Sequence, residues 1–247
     1  ASIIILVSTL LINSINRKQP TSSVSDKENR HLAEVYKDFS AQKKENRYIR
    51  LLHPCSVTSK SSHSGAILPP ISLAYLAATL RGAGYPVKII EAQGDDIFKI
   101  RLSECGDYNI QGLSTEEIIA RIKPETKILG VTLLYSYEWL IQRDVIKAIK
   151  ARFPKIIIVV GGEHPTALPE YVLRDCPEVD FIVSGEGEFT LLQLVSSIFY
   201  SKEFRSIPGI SYINKKGQFA SNGLSSRIAH IDDIPRPAWD LCNVENY

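Results

Sequence analysis

Short apolar segments alternate with longer amphipathic segments over most of this 247-residue chain, and this alternation constrains the fold more than any other feature. The predicted strands are rich in Ile, Val and Leu and lie at Tyr48–His53, Val87–Glu91, Ile128–Leu134, Ile156–Val160 and Phe181–Ser184. The predicted helices lie at Ile71–Gly84, Ser114–Ile122, Tyr137–Phe153, Ala167–Asp175 and Glu186–Tyr200. Near-continuous apolar strands are typical of a parallel sheet that is buried on both faces. The sequence therefore predicts a doubly wound, Rossmann-like or flavodoxin-like α/β fold with five parallel strands in the order 2-1-3-4-5.

Both ends of the chain depart from this alternation. Residues 1–46 are predicted to form an extension with a short apolar run at Ile3–Ile12 and a helix over Lys27–Lys44. The run is well short of the roughly 20 residues that a membrane-spanning helix needs, so we expect no membrane association. Residues 47–205 are the predicted α/β domain. Residues 206–247 are predicted to form a hairpin, with strands at 210–213 and 218–220, and a proline-rich linker.

The charge and the cysteines exclude several classes of function. Lys and Arg number 29 against 27 Asp and Glu, and this net charge of +2 does not draw the protein toward nucleic acid. The four cysteines form no CxxC pair and have no spacing typical of a disulfide framework. We therefore expect reduced thiols in a cytoplasmic protein and no metal bound by side chains.

Ligands of doubly wound sheets bind beyond the carboxyl ends of the strands, in the crevice between the first and third strands. The loop after the first strand, Pro54–Gly65, is rich in Ser and Thr, and its hydroxyl and amide groups suit a phosphate or carboxamides. A polar surface loop without a ligand explains the same residues. Thr132 and Ser136 place small hydroxyls where the third strand ends, although such residues also cap helices.

Glycines mark the ends of the fourth and fifth strands. Gly161 and Gly162 precede a helix predicted to begin near Pro165, and Gly185 and Gly187 follow the fifth strand. Missing side chains let a large group approach the backbone, but a sharp turn from strand to helix needs glycine as well. We expect ligand contact here, because three strand ends lined by Gly, Thr and Ser suit a broad, flat ligand. Neither a dinucleotide GxGxxG motif after the first strand nor a GxxxxGK[ST] phosphate loop is present.

Several motifs, in this order, resemble the N-terminal cobalamin-binding domain of cobalamin-dependent radical S-adenosylmethionine enzymes, the class that includes the anaerobic magnesium-protoporphyrin cyclase. They are LPPISLAYLAA at 68–78, GAGY at 82–85, GGEHPTA at 161–167, GEGE at 185–188, IPGI at 207–210 and IPRPAWD at 234–240. The resemblance covers about Tyr48–Leu241. It implies a corrin ring over the carboxyl ends of the strands, with the nucleotide tail of the cofactor in the crevice beside the first strand.

The expected cofactor-binding residues combine the strand ends with what the resemblance implies. They are Pro54, Ser56, Leu73, Thr132, Ser136, Gly161, Gly162, His164, Pro165, Thr166, Gly185, Glu186 and Gly187. The DxHxxG motif, whose His binds cobalt in mutases, is absent, because residues 61–65 are SSHSG. The resemblance thus implies no protein imidazole below the cobalt.

A second difference from the family's pattern concerns catalysis. No CxxxCxxC motif is present, so no iron-sulfur cluster can be built from these cysteines. A [4Fe-4S] cluster and S-adenosylmethionine are expected only in a radical S-adenosylmethionine domain after Tyr247. Met is absent, even at position 1, which predicts a fragment, a processed product or an incompletely translated gene. Such a fragment would bind cobalamin and this further domain without itself catalysing methyl transfer, rearrangement or cyclisation.

Three other functions suit the same fold. A flavodoxin-like electron carrier would bind FMN between aromatic residues, and only Tyr135 and Tyr137 lie near the third strand. A receiver-type signalling domain needs acidic residues after the first strand and an Asp at the end of the third, where this chain has His53-Pro54 and Leu134-Tyr135. A third alternative is a truncated module that does not catalyse a reaction or does not bind a cofactor.

Overall fold

A computed structural model describes residue 36 and residues 46–62, 67–225, 227–228 and 231–247. The strands are β1 (Tyr48–His53), β2 (Ser56–Ser59), β3 (Val87–Glu91), β4 (Ile100–Leu102), β5 (Tyr108–Gln111), β6 (Thr126–Thr132), β7 (Ile157–Gly161), β8 (Phe181–Val183), β9 (Ile210–Ile213) and β10 (Phe219–Ser221). The helices are α1 (Ile71–Gly82), α2 (Thr115–Arg121), α3 (Trp139–Arg152), α4 (Glu163–Ala167), α5 (Pro169–Asp175) and α6 (Gly187–Tyr200).

The central sheet has seven strands in the order β10-β9-β8-β7-β6-β1-β3. The neighbours among β3, β1, β6, β7 and β8 pair in parallel, and β9 pairs antiparallel to β8. The predicted order 2-1-3-4-5 describes these five parallel strands. The sheet is larger than predicted because the hairpin β9-β10 extends its edge instead of standing apart. The domain boundary at 205/206 stays a prediction.

Helices cover both faces of the sheet, which confirms the α/β class. Alternate residues of each strand face opposite sides. Leu51 and Val159 lie in one apolar core with residues of α1 and α6, whereas Leu52 and Ile158 lie in the other with residues of α2, α3 and α5. The carboxyl ends of the parallel strands therefore meet at one edge, between two layers of helices.

A second, small sheet was not predicted. It has three antiparallel strands in the order β2-β5-β4 and includes part of the predicted loop after β1. These strands have only three or four residues each, so they carry too short an alternation of apolar and polar residues to be recognised.

Two short helices, α4 and α5, follow β7; α5 corresponds to the predicted helix at Ala167–Asp175, and α4 overlaps that range only at Ala167. The first begins at Glu163, with Pro165 in its first turn, where a missing N–H costs no helical hydrogen bond. The second begins at Pro169, a favoured first position for proline.

The predicted helix over 27–44 lies outside the described residues, apart from Tyr36, and so does His63. Tyr36 is buried beside Gly82, at the end of α1. In the part of the chain that the structure describes, no helix is long and apolar enough to cross a membrane.

Candidate functional site

A cleft opens between the sheet and helices α1 and α6, at the carboxyl ends of β6, β7 and β8. Its volume is about 260 Å³. On this face of the sheet the last residues of the strands are smaller than those in the strand centres, which leaves space below the helices. The residues that face this side are Ile128, Gly130 and Thr132 along β6, Val159 and Gly161 along β7, and Val183 and Gly185 at the end of β8.

The helices supply the opposite wall of the cleft. Leu73 and Leu76 of α1 and Leu191 of α6 line it. At Gly187, the first residue of α6, an added Cβ would lie 3.2 Å from Cδ2 of Leu76 and 3.8 Å from Cγ1 of Val183. Any side chain at position 187 would therefore occupy the cleft.

Gly162 serves the turn at the end of β7. It has a φ of 113° and ψ of −175°, a conformation that is essentially restricted to glycine. An added Cβ would lie 2.5 Å from the carbonyl oxygen of Leu133. The turn alone thus requires this glycine, although the residue also lines the cleft.

A second hollow, of about 240 Å³, lies beyond the carboxyl ends of β1 and β6. It shares Ser72, Thr132 and Leu134 with the cleft, so the two hollows adjoin. The second hollow lies at the predicted crevice between the first and third parallel strands, and the cleft extends from there toward the fourth and fifth.

Buried polar groups line the second hollow. Glu138 accepts hydrogen bonds from the amide of Val57 and from Nε2 of Gln142, both at 2.9 Å. Burial raises the pKa of Glu138 and lowers the pKa of His53 to about 4, so the imidazole is neutral at pH 7. Among the described residues, neither Oε1 of Gln142 nor Nδ1 of His53 has a hydrogen-bond partner.

Most of the predicted cofactor-binding residues lie on these two surfaces. Those that line the cleft or the second hollow are Pro54, Ser56, Leu73, Thr132, Gly161, Gly162, Gly185, Glu186 and Gly187. Ser136, His164, Pro165 and Thr166 line neither of them.

His164 lies in the protein interior. Its side chain is 3% exposed, and its Nδ1 lies 2.9 Å from Oγ of Ser136. Its ring packs against Trp139, with 5.2 Å between the centroids. Burial lowers the pKa of His164, which favours a neutral ring. Contact of His164, Ser136, Pro165 or Thr166 with a cofactor stays a prediction.

Sequence reasoning missed several lining residues: Leu76, Gly130, Val183 and Leu191. The strand residues among them carry a signal, because they precede predicted site residues by two positions and so share their face of the sheet. Leu76 and Leu191 follow Leu73 and Gly187 at the helical spacings of three and four.

Known proteins share this sequence pattern. The profile of the B12 binding domain matches residues 61–195. An uncharacterized methyltransferase of Pyrococcus horikoshii is 31% identical over 185 residues, which cover 74% of this chain and 36% of that protein. The anaerobic magnesium-protoporphyrin IX monomethyl ester cyclase of Rubrivivax gelatinosus is 28% identical over 183 residues, which cover 72% of this chain and 30% of the cyclase. The chain thus spans about a third of the length of these relatives.

A solved structure has a similar fold. The cobalamin-dependent S-adenosylmethionine radical enzyme OxsB, with aqua-cobalamin and S-adenosylmethionine bound, aligns with a TM-score of 0.62 and 19% identity over 84% of this chain and 25% of that enzyme. At this identity the likeness shows the fold alone. The profile match covers more than half of the chain, confirms the resemblance and favours cobalamin over FMN. This chain belongs to the B12 binding domain family.

Proposed function

We propose that this chain holds cobalamin at the carboxyl edge of its sheet, as the cobalamin module of a radical S-adenosylmethionine enzyme. The observation that carries the proposal is the cleft between the sheet and two helices, where Gly161 and Gly187 bring no side chains into the space. A flat, largely apolar group suits such a space, because leucine side chains line it opposite the glycines.

The residues present suit the parts of this cofactor. Glycines at the strand ends would let the wide corrin ring approach the backbone. The leucines of α1 and α6 would exclude water from the aromatic base of the nucleotide tail, beside the sheet. Bound cobalamin supplies cobalt-carbon chemistry, and the protein supplies its position and surroundings. The part of this chain in that chemistry is to hold and orient the ring and to shield one side of it.

We further propose that a radical S-adenosylmethionine domain, with its [4Fe-4S] cluster, acts on the exposed side of the ring. The much greater length of the relatives and the bound S-adenosylmethionine in OxsB support this. The reaction class would be methyl transfer, rearrangement or cyclisation. Cys55, Cys105, Cys176 and Cys242 are all free, which supports a reducing, cytoplasmic location.

The test is reconstitution of the 247-residue chain with hydroxocobalamin and, separately, with FMN. After gel filtration, the absorption spectrum of the protein peak identifies the retained compound. We expect retention of the corrinoid with a shifted spectrum and no retention of FMN. Retention of FMN alone would support the electron carrier, and retention of neither would support a module that does not bind.

A further inference from the structure

The second hollow contains hydrogen-bonding groups that the protein does not use. Glu138 and Gln142 line it and are only 5% and 4% exposed. The carboxylate of Glu138 orients Gln142 by accepting a hydrogen bond from its Nε2. Within the described ranges, this leaves Oε1 of Gln142 and Nδ1 of His53 buried without partners. A buried polar atom without a partner is unfavourable, so a ligand that hydrogen-bonds to these atoms gains affinity.

The charges around the hollow decide which ligand can use these groups. The described residues that line it include Glu138 but neither Lys nor Arg, and Arg101 lies behind the wall, with Nη2 3.7 Å from Sγ of Cys55. A phosphate or carboxylate in the hollow would therefore meet the buried Glu138 carboxylate with no cation among the lining residues. A neutral group with both donors and acceptors is favoured. A primary carboxamide has two N–H donors for Oε1 of Gln142 and the Glu138 carboxylate, and its oxygen accepts from the N–H of a neutral imidazole.

The position of the hollow links it to the cleft. Ser72, Thr132 and Leu134 line both, so a group bound over the cleft can extend a side chain past them. The walls toward solvent are apolar and include Leu68 and Pro69, which suit the methylene groups of such a side chain.

We propose that the second hollow is a carboxamide site, and that it binds one propionamide side chain at the edge of the corrin. This inference rests on the proposed function, because only a corrinoid in the cleft would present such a side chain there. Gln142 and His53 recognise the amide, and Glu138 rejects the corresponding acid. The site thereby selects fully amidated corrinoids over partly amidated precursors or hydrolysis products.

The test compares hydroxocobalamin with the three monocarboxylic acids of cobalamin, in each of which a different propionamide is a carboxylate. Equilibrium dialysis at pH 7.5 gives the Kd of each compound for the whole chain. We expect one isomer to bind at least about tenfold more weakly than hydroxocobalamin and the other two to bind within about threefold of it.

Two variants assign this discrimination to the hollow. Glu138→Gln removes the charge, so the rejected isomer should recover to within about threefold of hydroxocobalamin. Gln142→Leu should instead weaken hydroxocobalamin by about tenfold and leave the rejected isomer unchanged. Glu170→Gln, which removes an exposed acid that pairs with Arg174, is the matched control and should preserve the wild-type pattern. If either Glu138→Gln or Gln142→Leu fails to fold, the other variant still tests whether the second hollow causes the discrimination.

Each remaining outcome counts against the proposal. Equal binding of all four corrinoids by the wild-type chain would overturn the carboxamide site and leave the proposed function intact. Discrimination that persists in both hollow variants would also overturn it. Failure of the wild-type chain to bind hydroxocobalamin would overturn the proposed function and the inference together.

Discussion

Gly162 shows how one residue fixes the edge of the sheet at which the cleft lies. Leu133 donates its amide to the carbonyl of Gly161 at 2.8 Å and accepts from the amide of His164 at 3.2 Å. Gly162 lies between these two bonds, with its α-carbon against the backbone of Leu133. The ends of β6 and β7 are thus joined by backbone contacts that leave no space for a side chain.

We expect Gly162→Ala to lower the free energy of unfolding by about 3 kcal/mol, because the added methyl group combines backbone strain with a clash against a carbonyl. The matched control is Gly217→Ala in the hairpin turn. Gly217 also has a positive φ, of 75°, but an added Cβ would have no neighbour within 4 Å. That change should cost about 1 kcal/mol. Urea unfolding measures both values, and equal losses would contradict this account of Gly162.

His53 gives the stability of the protein a pH dependence of known sign. Burial lowers its pKa from 6.5 to about 4. Below pH 6.5 the unfolded chain takes up a proton at this imidazole and the folded chain does not. His53 therefore contributes stability above pH 6.5 that is lost as the pH falls toward 4. The loss at pH 4 is about 3 kcal/mol at most.

The variant His53→Gln isolates this contribution. Glu91 is the neighbour of His53 across the β1-β3 pair, and Glu138 lines the same hollow. Burial raises the pKa of both acids, so their contribution to the stability of the protein increases as the pH falls, opposite to that of His53. Subtracting the pH profile of His53→Gln from that of the wild type removes their effect. The difference should increase from pH 4 to 6.5, and a flat difference would show that His53 titrates normally.

At the scale of elements, the sequence predicts those whose patterns are long or capped. Ser114 caps α2, at the predicted start of this helix: Glu117 donates its amide to Oγ of Ser114, and the Glu117 carboxylate accepts from the amide of Ser114. The strands β4 and β5 were missed because three or four residues show no clear period. The cleft was predicted only in part, since its wall from α1 and α6 depends on how helices distant in sequence pack on the sheet.

The segment after Ala238 packs back on β3, an arrangement that the proline-rich sequence does not predict. Glu91 accepts hydrogen bonds from the amide of Asn243 at 2.7 Å and from the hydroxyl of Tyr247 at 2.9 Å. An added Cβ at Gly94 would clash with the Tyr247 ring, so the ring lies directly on this residue. A buried carboxylate is thus satisfied by a segment about 150 residues away in sequence.

Tyr247→Phe should release this segment locally. It leaves one oxygen of Glu91 without its partner, at a cost of about 1–3 kcal/mol. Hydrogen exchange should show faster exchange of the Asn243 amide and unchanged exchange in β6 and β7. The control is Asp240→Asn, which removes an exposed ion pair with Arg81 and should have little effect. Unchanged protection of Asn243 in Tyr247→Phe would contradict the role given to Glu91.

At the scale of the whole molecule, the sheet and the two helix layers form a rigid support with one open edge. The apolar cores fill both faces over most of the strand length, and small residues at the carboxyl ends of β6 and β7 line the cleft. The cleft, the second hollow and the turn at Gly162 all lie at that edge. Under the proposed function, cobalamin binding by this chain depends on the space between α1, α6 and the sheet.

The most direct measurement is the Kd of hydroxocobalamin for the wild type and for Gly187→Ala and Gly187→Leu. A methyl group at position 187 removes little of the roughly 260 Å³ cleft, whereas a leucine side chain fills the space beside Leu76 and Val183. We expect the alanine variant to bind nearly as the wild type does and the leucine variant to lose at least about tenfold in affinity, with unfolding transitions confirming that both fold. Equal affinity of a folded leucine variant would contradict the claim that this cleft holds the cofactor.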